Sequence, residues 1–159
     1  MATFGKQNRN GSAGRFALQR WLSRISRQRI LGDFVRELNP TPETRIIDIG
    51  ASGVETREAN VLEKFYPWPH NITAAIVGDT SEFLRAHPQG DAVQIVPGER
   101  LPFPDKSFDI AYSNAVLEHV GGREQRRAFI AEAARVARAV FIVLPNGWFP
   151  VELQSFDVE

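Results

Sequence analysis

The sequence predicts an α/β domain: a mainly parallel, twisted sheet of about five strands with helices on both faces. Three observations predict it. Short apolar runs recur along the chain, at RIIDI, ITAAIV, AVQIV, FDIAY and VFIVL. Segments of helical period lie between them. The first run ends in an acid and passes directly into the small-residue turn Gly50-Ala51-Ser52-Gly53. A parallel strand delivers its carboxyl end into such a turn when a ligand must come close to the backbone.

The elements follow in order. Residues 1–14 are polar and carry Gly5, Gly11 and Gly14, which predicts a disordered tail. Residues 15–159 form one domain. From Arg15 to Leu38, apolar residues at Leu18, Trp21, Leu22, Ile25, Leu31, Phe34, Val35 and Leu38 mark an amphipathic helix, broken or bent near Gly32. Pro40 and Pro42 stop it and open a core at 44–147. Strand 1 is Arg45–Ile49, followed by a helix over Glu55–Phe65 closed by Pro67 and Pro69. Strand 2 is Ile72–Val77. Asp79-Thr80-Ser81-Glu82 has the form of a capping box opening a short helix to Ala86. Strand 3 is Ala92–Val96, and the loop PGERLPFPDKS leads to strand 4 at Phe108–Tyr112. Ala115–His119 reads as a helical turn, Glu124–Ala137 as an amphipathic helix and Val140–Leu144 as strand 5. Trp148–Glu159 has no clear period.

Composition narrows the function classes. The chain has no Cys, so disulfides and thiolate metal sites are excluded, and three scattered His residues argue against a metal. The lack of Cys fits a reducing, cytoplasmic compartment. No apolar run approaches the roughly 20 residues of a membrane helix. The formal net charge is zero, but residues 1–36 hold eight basic residues and the single acid Asp33. A solvated helix face accounts for this better than a nucleic-acid surface.

Four segments arrive at the carboxyl ends of the strands: Asp48–Gly53, Asp79, Gly98-Glu99, and Ser113-Asn114-Ala115. Carboxylates there suit a ligand with ribose hydroxyls and an amine, which donate hydrogen bonds. Two strings sharpen this. RIIDIGASG is followed by GDTSEF, and LPFPDKSFD runs into YSNAVLEHV, with FIVLPN downstream. In this order, over residues 44–150, the chain resembles the class I S-adenosylmethionine-dependent methyltransferases that act on small molecules. The resemblance implies a Rossmann-like sheet of order 3-2-1-4-5, S-adenosylmethionine as cofactor, and a small-molecule methyl acceptor with an O, N or C nucleophile.

Carried over residue by residue, the resemblance puts Asp48 at the methionine end of the cofactor, beneath Gly50, Ala51, Ser52 and Gly53. Asp79 would take the ribose hydroxyls. Glu99 would accept from the adenine amine, with Arg100 beside it. Asn114 and Ala115 would close over the methionine part, and His119 would face the reacting end as the one candidate base. Plainer roles stand beside these: turn bracing for Asp48, helix capping for Asp79, surface positions for Glu99 and Arg100, and a helix-end partner for His119. Phe103 and Phe108 read as core.

The sequence departs from the family pattern in two places. Ser52 and Val54 stand where the family often has its second and third loop glycines. The helix and antiparallel strand pair that follow strand 5 in full members are missing. Either the chain is a fragment, or strand 5 is an open edge able to pair with a second copy. A non-catalytic cofactor- or partner-binding member of the fold is therefore the alternative. A nicotinamide-dependent dehydrogenase is disfavoured, because no Gly-x-Gly-x-x-Gly seats a pyrophosphate.

Overall fold

The computed structural model describes residues 29–56, 59–144 and the backbone of 152–157. The expectations for residues 1–28 and for the turn Pro145-Asn146-Gly147 lie outside them. The elements are α1 (29–38), β1 (Ile46–Ala51), α2 (Val61–Phe65), β2 (Ile72–Val77), α3 (Ser81–Ala86), β3 (Asp91–Ile95), β4 (Phe108–Asn114), α4 (Arg123–Val136), β5 (Ala137–Leu144) and β6 (Glu152–Asp157). A 3-10 turn at Pro69–Asn71 leads into β2.

The sheet order is β3-β2-β1-β4-β5-β6. The first five strands are parallel, in the 3-2-1-4-5 order that the sequence resemblance implies. Period-two alternation sorts β1 between two cores. Ile47 and Ile49 face the core that α4 closes with Ala133 and Val136. Ile46 faces the other core, with Ile30 and Phe34 of α1 and Leu62 of α2. Phe34 is fully buried, its ring edge-on to Tyr66, Tyr112 and Phe141 at 6.1, 5.5 and 5.3 Å between centroids. Ala74 and Ile76 of β2 meet Phe83 of α3. Helices therefore cover both faces.

Four expectations need correction. The helix runs through Gly32 without a break. Among the described residues of 55–65, helix occupies only Val61–Phe65, because Asn60 stands in the left-handed region (φ 54°) as its N-cap. In the Asp79–Glu82 motif, Glu82 does not cap its own helix. Its Oε1 accepts from the N–H of Glu55, at 2.8 Å, and so braces the β1 loop. Finally, β5 is not a sheet edge. β6 pairs antiparallel with it from Ala139↔Asp157 to Leu144↔Glu152. A single strand fits into the short tail where a helix and a strand pair do not, and it covers the edge through which pairing with a second copy was expected.

Candidate functional site

The crevice forms where the strand order reverses. β1 and β4 are paired only from Ile46↔Ile110 to Asp48↔Tyr112. Beyond that point β1 continues with β2 to Ala51↔Ile76, while β4 continues with β5 to Asn114↔Val143. The two halves of the sheet part company, and a gap opens between their carboxyl ends. The hydroxyl of Ser113 donates to the carbonyl of Ile49 at 2.9 Å, bridging the strands where the ladder stops.

The turn after β1 is shaped by its neighbours. Gly50 has φ +91°, and a Cβ there would lie 2.5 Å from Cγ2 of Val116. A Cβ at Gly53 would lie 2.7 Å from the carbonyl oxygen of Asp79. These glycines therefore let the β1 turn touch the segments after β4 and β2. Ser52, at the position of a family glycine, closes the turn itself. Its hydroxyl donates to the carbonyl of Val54 at 2.8 Å and accepts from the Val54 N–H at 3.2 Å. Asn60 completes the loop, accepting from the Ser52 N–H (2.9 Å) and donating to the Ser52 carbonyl (3.1 Å) and to Glu55 (3.0 Å). Sequence reading missed Asn60, although an Asn just before the apolar VL of a helix is an N-cap signal.

Asp48 is 6% exposed and Glu63 of α2 is 5% exposed. Burial raises the Asp48 carboxyl well above its usual range, and the nearby Glu63 charge adds to this. Burial also raises Glu63, more than Asp48 and His87 offset. Tyr112 is pushed far up by burial and by the same two carboxyls. Neither oxygen of Glu63 has a hydrogen-bond donor. Glu63 also lines a cleft of about 360 Å³ between α2 and α3, with Glu55, Lys64 and His87. There Glu55 pairs with Lys64 and, at 2.9 Å, with Nε2 of His87. Burial would raise the Glu55 carboxyl, but the bonds from Lys64, Asn60 and His87 outweigh it and hold it low. Glu63 was absent from the sequence-predicted site, since only the α2–β1 packing gives it a partner.

The remaining predicted residues stand as follows. Asp79 is exposed, and its Oδ1 accepts from the hydroxyl and N–H of Ser81 at 2.7 and 3.1 Å, which lowers its pKa. Glu99 is exposed beside Gly98, whose φ is +83°. Arg100 is exposed and pairs with Asp105 at 3.3 Å. Asn114 ends β4 half-buried, and Ala115 follows with φ 57°, its N–H donating to the carbonyl of Val143 at 3.1 Å. The His119 side chain is 81% exposed, with Nε2 4.0 Å from Glu118. Phe108 is buried and Phe103 packs edge-on to it at 4.9 Å, as core residues.

Among the described residues, no group of three or more His, Cys, Asp or Glu side chains could hold a metal ion. No helix there is long and apolar enough to cross a membrane.

Comparison with known proteins agrees with this fold. The YcgJ protein from Bacillus subtilis is similar in structure, with TM-score 0.56 and 22% identity over 73% of this chain and 50% of that one. A TehB-like SAM-dependent methyltransferase from Corynebacterium glutamicum has TM-score 0.53 and 16% identity over 87% of this chain and 76% of that one. The [4+2]-cyclase SpnF has TM-score 0.53 and 20% identity, covering 76% of this chain and 44% of that one. The chain thus spans about half the length of the Bacillus protein. No curated protein sequence matches it. The family described as Methyltransferase domain matches residues 48–143, from the acid within β1 almost to the end of β5. The chain belongs to this methyltransferase-domain family.

Proposed function

We propose that the chain binds S-adenosylmethionine across the carboxyl ends of β1, β2 and β3 and directs methyl transfer to a small-molecule acceptor. The observation that carries this reading is the parting of β1 and β4 beyond Asp48↔Tyr112, with the buried Asp48 at the last shared pair and acids after β2 and β3. The acceptor set fits the cofactor. Asp48, Asp79 and Glu99 are carboxylates, and an ammonium, a ribose diol and an adenine amine all present donors.

When bound, the cofactor supplies a methyl group on a sulfonium, a good leaving group. The chain's own residues then position and shield. Asp48 sets negative potential under the methionine end. Asp79 keeps Oδ2 for the ribose hydroxyls, because Ser81 occupies Oδ1. Glu99 accepts from the adenine amine, while Arg100 stays with Asp105. The backbone of Gly50, Ala51, Ser52 and Gly53 lies along the ligand. Asn114 and Ala115 hold its methionine part, and the left-handed Ala115 turns the chain over the crevice. His119 is free in solvent to accept a proton from an acceptor that must lose one early. Alignment and exclusion of water supply most of the rate. A cytoplasmic site of action suits a Cys-free chain.

Calorimetric titration with S-adenosylmethionine, its demethylated product and NAD tests the reading. Binding of the first two and not of NAD supports it, and the reverse pattern overturns it. A second reading, cofactor binding without turnover, is favoured by the exposure of His119, the one candidate base, whose side chain is 81% exposed. A methyl-transfer assay against a panel of small nucleophiles separates the two. His119→Ala should lower turnover without weakening cofactor binding, and unchanged turnover removes His119 from the mechanism.

A further inference from the structure

We infer that Asp48 and Glu63 share one proton, and that cofactor binding expels it to water through the cleft between α2 and α3. This rests on the cofactor reading above. Both carboxyls are buried, one within β1 and one on α2. A carboxylate only accepts hydrogen bonds, and no donor reaches either oxygen of Glu63. A buried carboxyl without a donor is satisfied by taking up a proton, and Asp48 and Glu63 are the two buried carboxyls that act on each other.

The surrounding groups supply no other remedy. From β4, Tyr112 sits in the field of both carboxyls. From the β1 loop, Glu55 adds a further negative charge near Glu63. The two nearby cationic or potentially cationic groups, Lys64 of α2 and His87 after α3, are held on Glu55. Burial of both carboxyls, with the Glu63 charge acting on Asp48, holds the pair protonated above the usual carboxylate range. Glu63 also lines the cleft, so the proton has an exit that does not cross the cofactor crevice.

A sulfonium and an ammonium arriving beside Asp48 reverse the balance. Positive charge favours the pair with both carboxylates ionised, and the proton leaves. The balance is simple: protonated protein and cationic cofactor give the complex and one hydron released to buffer. By linkage, affinity tightens with rising pH, up to about tenfold per pH unit while the free protein holds the proton. Glu63 is then a positioning residue that sets the charge of Asp48.

The test is calorimetry of S-adenosylmethionine binding in phosphate and in a buffer of high ionisation heat. It is run at about pH 6, below the titration of the ligand's own α-amino group. The wild-type heat should differ between buffers by the release of up to one proton. In Glu63→Gln the amide donates to an ionised Asp48, so the buffer difference and the pH slope should vanish. A thermal melt checks that the variant folds, and if it does not, the wild-type buffer comparison still decides. Binding with buffer-independent heat in the wild type overturns the inference alone, as does undiminished release in a folded Glu63→Gln protein. No binding of S-adenosylmethionine at any pH overturns the cofactor reading and the inference with it.

Discussion

At the scale of single residues, the β1 turn is held by contact. Gly53→Ala drives a Cβ onto the Asp79 carbonyl, a backbone atom that cannot swing aside. Urea unfolding should show a loss of about 1–3 kcal/mol. Asp79→Ala should leave the fold intact and weaken S-adenosylmethionine by about one to two orders of magnitude, the scale of bonds to a charged acceptor. An unchanged calorimetric dissociation constant removes the ribose role. Glu63 makes a pH prediction. Because the folded state raises both Asp48 and Glu63, it holds protons that the unfolded chain releases near pH ~4. Stability should therefore fall as pH rises from there through the raised folded values. Glu63→Gln should flatten that fall, so that the variant gains on the wild type as pH rises above the usual carboxylate range in urea titrations. The acids at 48, 79 and 99 were legible in the sequence, because each follows an apolar run. Glu63 and Asn60 were not, since their meaning depends on which faces meet across the fold.

At the scale of elements, the string LPFPDKSF is best understood as a strap fastened to α4. Arg135 donates to the carbonyls of Leu101 (3.1 Å) and Phe103 (2.8 Å), to Asp105 (2.7 Å) and to Glu132 (2.6 Å). Glu132 accepts from the Leu101 N–H at 2.8 Å. Lys106, with φ 53°, donates its N–H to the Arg135 carbonyl and its Nζ to the Ala134 and Ala137 carbonyls. The segment most telling for the family is thus largely architectural: it fixes how β3 leads into β4. Arg135→Ala should cost roughly 1–3 kcal/mol by urea unfolding. Arg135→Lys should recover little, because an ammonium cannot reach four acceptors from one position. The sequence placed strands 2 and 4 and α4 well, where period and flanking turns agree. It overextended the helix after β1, because the Asn60 side chain hydrogen-bonds the Ser52 backbone and the Glu55 carboxylate and so holds a loop there.

At the scale of the whole molecule, β6 extends the sheet past β5. β6 lies along β5 from Ala139 to Leu144, and the interior of β5 (Val140, Phe141, Ile142, Val143) is buried. A chain ending at Asn146 exposes that edge, and sedimentation should show it associating where the full chain does not. Equal sedimentation of the two overturns the edge role. The five-strand order was legible through the family strings, while β6 was not. ELQSFD has no clean alternation, and an antiparallel partner strand is defined by its neighbour more than by its own pattern.

The parting of β1 and β4 has one more consequence. Above Asp48↔Tyr112 the two half-sheets are joined by the Ser113–Ile49 bond and by the contact of the Gly50 turn with Val116. Whatever occupies the gap becomes a rivet between the β1-β2-β3 side and the β4-β5-β6 side. A ligand at a hundred times its dissociation constant then adds about 2.7 kcal/mol to the cooperative unit. Melting temperature becomes a direct gauge of occupancy, readable before any methyl acceptor is known.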